Sequence, residues 1–213
     1  MFEFARTFRR AINTTLMGIA FAIAANAASA VTINFNQYIS GVDLGTTTLA
    51  TLDATQNGNN VDFVFTNTGI AGGAGAFDTA LGMMYNGSTA GISLLYTGGV
   101  SIASFAKNAT GNGIGGPWDL VINWGTSNRN NGAARLNVGE FSSFTLQGAQ
   151  LANLFFGSGS NPSAIIHVQG LTGGGSTKYG PGTPAPVPLP AAGLMLLAGF
   201  GGLGLARRRR KTA

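Results

Sequence analysis

Short runs of alternating apolar and polar residues recur along the middle of the chain. In residues 61–66 the odd-numbered positions are large and apolar, and in residues 118–124 the even-numbered positions are. An alternation of period two predicts a β-strand with one buried face. Apolar or β-branched runs of similar length predict further strands at residues 31–35, 46–52, 81–85, 91–96, 100–106, 135–138, 141–146 and 164–169.

Turn residues separate these runs. Asn57-Gly58 lies between two of them, and Asn-Gly is the strongest short signal for a hairpin turn. The chain shows no long helical periodicity, which favours antiparallel pairing because parallel strands need long crossover connections. The pattern therefore predicts an all-β fold, either an antiparallel β-sandwich or a jelly roll, over residues 31–172. A short helix or strand is predicted at residues 151–156.

The amino-acid composition supports this fold and excludes some classes of partner and site. The chain has 213 residues, of which 34 are Gly, a residue that disfavours helices. Its formal net charge is +5, but between residues 31 and 186 four basic residues stand against six acidic ones, a net charge of −2. We therefore expect no nucleic-acid partner. The absence of cysteine excludes disulfides and thiolate metal sites.

Residues 1–30 have the three parts of a secretory signal peptide. A segment with three arginines precedes an apolar stretch at residues 16–25. That stretch is too short to span a bilayer as a helix, which takes about 20 residues. Small residues follow and predict cleavage by signal peptidase before Val31. The residues of the predicted cleavage site are Ala28, Ala30 and Val31.

The C-terminal part of the chain divides into further segments. Residues 173–186 are rich in Gly and Pro without an apolar pattern, which predicts a linker. Residues 191–206 form an apolar run that would span about 24 Å as a helix, close to the bilayer core of about 30 Å. A basic cluster follows and is typical of a stop-transfer signal. The cluster consists of Arg207, Arg208, Arg209, Arg210 and Lys211.

The order of proline-rich motif, short glycine-rich apolar segment and arginine cluster resembles the PEP-CTERM class of sorting signals. The resemblance covers residues 187–213 and includes one transmembrane helix. Its motif is similar to the VPLPA-CTERM variant, and Leu189 stands where the main class has a glutamate. The motif consists of Val187, Pro188, Leu189, Pro190 and Ala191.

This resemblance implies processing by an exosortase, an integral-membrane cysteine enzyme of Gram-negative bacteria that make exopolysaccharide. The protein would pass through the export machinery, stay transiently in the inner membrane and then reach the cell surface or the medium. Because proline fixes φ and lacks an N–H, Pro188 and Pro190 would keep the cleavage site extended. Residues 139–146 and 166–171 also look like ectodomains that carry such tails, which implies a β-sandwich.

The predicted domain has few groups for catalysis. His167 is the only histidine and lies in an apolar run without a neighbouring nucleophile or orienting group, so we interpret it as structural. One histidine without cysteine does not make a zinc site, and no Asp-x-Asp-x-Asp-Gly calcium loop is present. Trp118 follows a Gly-Gly-Pro sequence and is the candidate carbohydrate contact. We predict no catalytic residue, no metal and no cofactor.

The sequence therefore predicts a non-enzymatic surface or extracellular-matrix protein associated with exopolysaccharide or biofilm. Three alternatives stay open. A carbohydrate-binding module would use aromatic residues of the sandwich, and a secreted hydrolase would need two acids about 5–10 Å apart in a cleft. A permanently anchored envelope protein would keep its C-terminus in the mature product.

Overall fold

The computed structural model describes residues 29–155 and 162–182. These residues form strands and three short 3₁₀ helices, so the prediction of an all-β fold is confirmed. Among them, no helix is both long enough and apolar enough to cross a membrane. The strands are β1 (Ala30–Gly41), β2 (Ala50–Asn57), β3 (Asn60–Asn67), β4 (Phe77–Tyr85), β5 (Ser93–Gly99), β6 (Ile102–Gly111), β7 (Gly115–Trp124), β8 (Leu136–Asn137), β9 (Phe141–Gln147), β10 (Leu154–Phe155), β11 (Ala164–Gln169) and β12 (Ser176–Pro181). The 3₁₀ helices are Ile70–Gly72, Arg129–Gly132 and Leu151–Asn153.

The strands join into one antiparallel sheet that is nearly closed. Its order is β5-β9-β3-β2-β1-β12-β11-β4-β7-β6, and the short strands β8 and β10 both pair with β4. The two strands at the ends of this order, β5 and β6, are consecutive in the chain, and only Val100 and Ser101 connect them. The two edges of the sheet therefore meet at this link.

Side chains help to hold the two edges together. Lys107 Nζ on β6 donates hydrogen bonds to the carbonyls of Ala90 (3.1 Å) and Ile92 (3.0 Å), just before β5. At the link, Ser142 Oγ on β9 donates to the carbonyl of Val100 (2.8 Å). The sheet thus curls round its core although, in the described residues, no backbone ladder joins β5 to β6.

The main core fills the inside of the curled sheet. Phe65 of β3 stacks on Trp124 of β7 with ring centroids 4.8 Å apart, although the two strands are distant in the sheet order. This contact crosses the interior, and aromatic pairs of this kind contribute about 0.5–1.5 kcal/mol beyond their area burial. The alternation predicted for β3 is confirmed, and in β7 the predicted inward residues Leu120, Ile122 and Trp124 are buried, although Val121 is buried on the outer face as well.

A second apolar cluster lies on the outer face of the sheet. It consists of Ala80 on β4, Val121 on β7 and Ile165 on β11, together with Ile114 from the turn between β6 and β7. Because both faces of the sheet are covered here, almost all of β4 and β11 is buried. This explains why neither strand shows clean alternation in the sequence.

The last strand corrects the predicted domain boundary. Residues 173–186 are predicted to be a linker, and this prediction is wrong for Ser176–Pro181, because they form β12 between β1 and β11. Tyr179 of β12 is fully buried. Its hydroxyl accepts a hydrogen bond from Leu44 N (2.8 Å) and donates one to the Gly45 carbonyl (2.9 Å). The folded domain therefore extends beyond residue 172.

The other strand predictions differ from the structure mainly in their bounds. The sequence predicts a strand at residues 46–52, whereas β2 covers Ala50–Asn57. Its ladder with β3 closes at the pair Asn57 and Asn60, which confirms the predicted hairpin turn at Asn57-Gly58. The predicted signal peptide up to residue 28 lies outside the described residues. The predicted sorting motif, transmembrane helix and arginine cluster also lie outside them.

We expect a chain that ends at Thr172 to lose the cooperative unfolding transition of a chain that ends at Gly182. Without β12, both β1 and β11 lose a hydrogen-bonded neighbour and the core loses Tyr179. Urea unfolding followed by far-ultraviolet circular dichroism compares the two chains, both starting at Val31. An unchanged transition in the shorter chain would show that β12 is not needed for folding.

Candidate functional site

The two ends of the folded domain lie side by side in the sheet. Ala30, at the predicted signal-peptide junction, is the first residue of β1. At the other end, Gly182 N donates a hydrogen bond to the carbonyl of Asn34 in β1 (2.9 Å). Because β1 and β12 pair antiparallel, the end of β12 lies beside Phe35, five residues after the start of β1, and both strands point their outer termini toward the same end of the sheet. The chain therefore enters and leaves the domain at the same end.

Two of the predicted signal-peptidase residues are described, and both begin β1. Ala28 lies outside the described residues, whereas Ala30 is exposed and Val31 is partly buried against the main core. A cut before Val31 removes only the first residue of β1. The buried side chains of the strand, Ile33 and Phe35, remain on the mature chain.

Trp118, the candidate carbohydrate contact, lies on β7 with its ring partly buried. The ring packs over Gly82, where an added Cβ would be 2.8 Å from two ring carbons. It borders the second apolar cluster, and its Nε1 is buried without a hydrogen-bond partner. The structure therefore places much of the ring against the sheet, and contact with a sugar stays a prediction for this residue.

Three exposed apolar side chains lie on the outer face of β3, β9 and β5, one on each strand. Val64, Leu95 and Phe141 are 39%, 50% and 48% exposed, and we call these three residues the exposed stripe. The strands that carry them are neighbours, since β9 pairs with both β3 and β5. Polar groups lie among them, because Thr145 Oγ1 donates to Asp62 Oδ1 (2.6 Å) on the same face. The stripe thus combines an aromatic ring with hydrogen-bonding groups.

His167 is buried in β11 and faces the outer side of the sheet. Its Nδ1 lies 2.7 Å from Thr79 Oγ1, and that hydroxyl also lies 3.1 Å from the carbonyl of Asn112. Burial lowers the pKa of His167 below its ordinary value of 6.5, and the positive charge of Lys178 lowers it further. The hydrogen bond with the Asn112 backbone acts in the opposite direction and raises the pKa. The imidazole is therefore neutral at pH 7.

Asp78 is a buried acid that the sequence analysis missed. It lies on β4, is fully buried, and neither carboxylate oxygen has a hydrogen-bond partner. Its cross-strand partners, Val168 and Leu136, belong to the main core, so the carboxyl faces the interior. Burial raises the pKa of Asp78 well above its ordinary value of 3.8. The only sequence signal is the polar pair Asp78-Thr79 inside an apolar run.

These titratable groups do not form a catalytic arrangement. Asp78 and His167 face opposite sides of the sheet, and both His167 and its partner Thr79 are buried. In the part of the chain that the structure describes, no three histidine or acidic side chains come together to hold a metal.

We expect Asp78→Asn to raise the free energy of unfolding at pH 7, because the amide stays uncharged in the core without taking up a proton. A raised folded-state pKa means that the acid stabilises the fold most below its ordinary pKa of 3.8. That stability is lost as pH rises through the raised value. The variant should therefore lose the decline in stability above pH 4.

Urea unfolding at a series of pH values measures how steeply the free energy of unfolding falls with pH. Asp53→Asn is the matched control, because Asp53 is exposed and bonded to Thr32 Oγ1 on the outer face. Its effect should stay within about 0.5 kcal/mol at each pH. An Asp78→Asn variant with the wild-type slope would contradict the assignment of that slope to Asp78.

Comparison of the chain with protein-family models, with curated proteins and with solved structures gave no match. The function of the chain has to follow from its own residues. Its most distinctive features are the pairing of the first strand with the last and the two terminal segments predicted from the sequence.

Proposed function

We propose that the chain is a non-enzymatic protein of the bacterial cell surface or extracellular matrix. The export machinery carries it across the inner membrane, and signal peptidase cuts before Val31. The C-terminal tail holds the domain at the inner membrane for a time, until an exosortase cuts within residues 187–191. The domain then joins the cell surface or its exopolysaccharide.

The position of the two chain ends supports this proposal most strongly. A signal peptide and a C-terminal anchor both have to reach the same membrane. β1 starts and β12 ends toward the same end of the sheet, with Gly182 bonded to Asn34 four residues into β1, so neither segment needs a path across the domain. Four residues separate Gly182 from the motif, and this stretch extends over at most about 18 Å.

The proposal includes a β-sandwich or jelly roll for the folded domain and one transmembrane helix after it. The contact between Phe65 and Trp124 brings two distant parts of the sheet face to face, as in a β-sandwich or a jelly roll. After the domain, residues 191–206 form the single transmembrane helix, and residues 207–211 stop its transfer. This order gives the uncleaved chain one membrane span.

The exposed stripe favours a carbohydrate-binding module as a second candidate function. Phe141 is 48% exposed and lies directly opposite Thr66 of β3, while Thr145, which is bonded to Asp62, lies four residues further along the same face. An aromatic ring can cover the apolar face of a sugar while nearby hydroxyl and carboxylate groups bond to its hydroxyls. Binding of this kind would retain the released domain in the exopolysaccharide.

We expect replacement of both Pro188 and Pro190 with alanine to trap the protein in the inner membrane. Alanine favours helix, so the motif would join the adjacent helix and no longer enter a protease cleft in extended form. Immunoblots of the membrane, surface and medium fractions of the producing cells measure the released share. The double variant should show an intact tail and little release.

Replacement of Pro184 and Pro186 with alanine is the matched control, since it changes the same residue type just outside the motif. This control should be released like the wild type. Equal release of both double variants would contradict cleavage by recognition of the proline motif.

For the second candidate, we expect Phe141→Ala to weaken binding to the purified exopolysaccharide roughly tenfold, which corresponds to about 1.4 kcal/mol. The reason is the loss of the exposed ring from the stripe. Co-sedimentation measures the bound share. Val42→Ala changes an apolar residue that is 42% exposed outside the stripe, and it should bind normally. Unchanged binding by Phe141→Ala would contradict the carbohydrate role of the stripe.

A further inference from the structure

The turn between β6 and β7 folds back over the outer face of the sheet. We call residues 111–116 the hairpin tip. It carries Ile114, which is 4% exposed and packs in the second apolar cluster. An added Cβ on Gly82 of β4 would lie 2.8 Å from Ile114 Cδ1, which shows how closely the tip covers this strand.

Hydrogen bonds join the hairpin tip to the sheet around His167. The Thr79 hydroxyl on β4 donates to the carbonyl of Asn112 in the tip (3.1 Å) and lies 2.7 Å from His167 Nδ1. Asn112 N donates to Asn123 Oδ1 on β7 (2.9 Å). The imidazole of His167 is therefore part of the contact that holds the tip down.

Gly113 places the backbone of the hairpin tip directly on the His167 ring. An added Cβ on this residue would lie 2.1 Å from Cε1 and 2.7 Å from Nε2 of the ring. The φ angle of Gly113 is +80°, a conformation that other residues rarely adopt. His167 is 4% exposed under this cover, so water has little access to the ring while the tip is closed.

We propose that the hairpin tip is an acid-released flap. A proton taken up by His167 places a positive charge beneath the Gly113 backbone, where solvation is poor. Lifting of the tip lets water reach the imidazolium. The movement uncovers Ala80, Val121 and Ile165 as an apolar patch on the outer face. This device does not depend on how the ends of the chain are processed.

In the described residues, burial of the ring outweighs the one hydrogen bond that favours its positive charge, the bond with the Asn112 backbone. β12 contributes Lys178, the direct cross-strand partner of His167, and its charge is positive. β4 contributes the neutral Thr79, and the tip contributes the uncharged backbone of Asn112, so neither supplies a negative charge. Asp78 is next to Thr79 in the chain but faces the main core on the other side of the sheet.

The direction of the pKa shift gives the pH at which the tip opens. Burial lowers the pKa of His167 below 6.5 in the closed form. A base with a lowered pKa stabilises the closed form fully above its ordinary pKa. That stability is lost as pH falls below 6.5 toward the lowered value. The tip is therefore closed at neutral pH and released in mild acid.

Release of the tip leaves the main core in place. The main core includes Leu81, Ile122 and Ile166 on the inner face, whereas Ile114 belongs to the separate outer cluster. The ladder between β6 and β7 continues below the tip from Ala109 and Trp118 onward. Opening of the hairpin tip therefore breaks only the contacts on the outer face of the sheet.

Methyl NMR of the full chain in detergent micelles tests this proposal. His167 is the only histidine, so its ring signal reports its protonation without ambiguity. We expect the Ile114 δ1 methyl to move toward its solvent-exposed shift at the same midpoint as the His167 signal, below pH 6.5, and reversibly. The δ1 methyls of Ile122 and Ile166 should not move.

Two variants make the test specific. His167→Gln should abolish the movement of Ile114, because no group remains to take up the proton. Lys178→Gln keeps the contacts of the tip but removes the neighbouring positive charge, so the midpoint should rise toward 6.5. The proposal is overturned if Ile114 stays fixed while His167 titrates, or if His167→Gln keeps the transition. Simultaneous movement of Ile122 and Ile166 would also overturn it, because the whole domain would then be opening.

Discussion

The pairing of the first strand with the last holds the rest of the structure together. β12 lies between β1 and β11, so it connects the five strands from β5 to β1 with the four strands from β11 to β6. It also places the buried Tyr179 in the core, where the hydroxyl bonds to the backbone of Leu44 and Gly45. Since β12 is the last strand of the described chain, the curled sheet is complete only when the chain is present up to Pro181.

Two buried titratable groups lie on opposite faces of the same part of this sheet. Asp78 faces the main core with a raised pKa, and His167 faces the hairpin tip with a lowered one. Acidification therefore acts on them in opposite directions, because it favours the neutral form of Asp78 and the charged form of His167. A mildly acidic medium stabilises the core while it releases the tip. This separation allows a local movement without loss of the fold.

Much of the fold follows from the sequence where a strand has one buried face. In β3 and β7 the large apolar residues alternate, and both strands lie where the pattern predicts them. The pattern fails for β12, because Tyr179 is its only large apolar residue and its burial comes from its neighbours. The contact of Thr79 with His167 and the burial of Asp78 depend on strand pairing and on a folded-back turn, which spacing along the chain does not reveal.

The central claim is that a domain running from β1 to β12 reaches the cell surface after both ends of the chain are cut. β12 ends at Pro181, six residues before Val187, so a cut within the motif leaves the whole domain intact. The intact mass of the protein recovered from the cell surface and the medium tests this most directly. The account predicts a chain that starts at Val31, ends within residues 187–191 and lacks the arginine cluster. A mature chain that continues to Ala213 would contradict it.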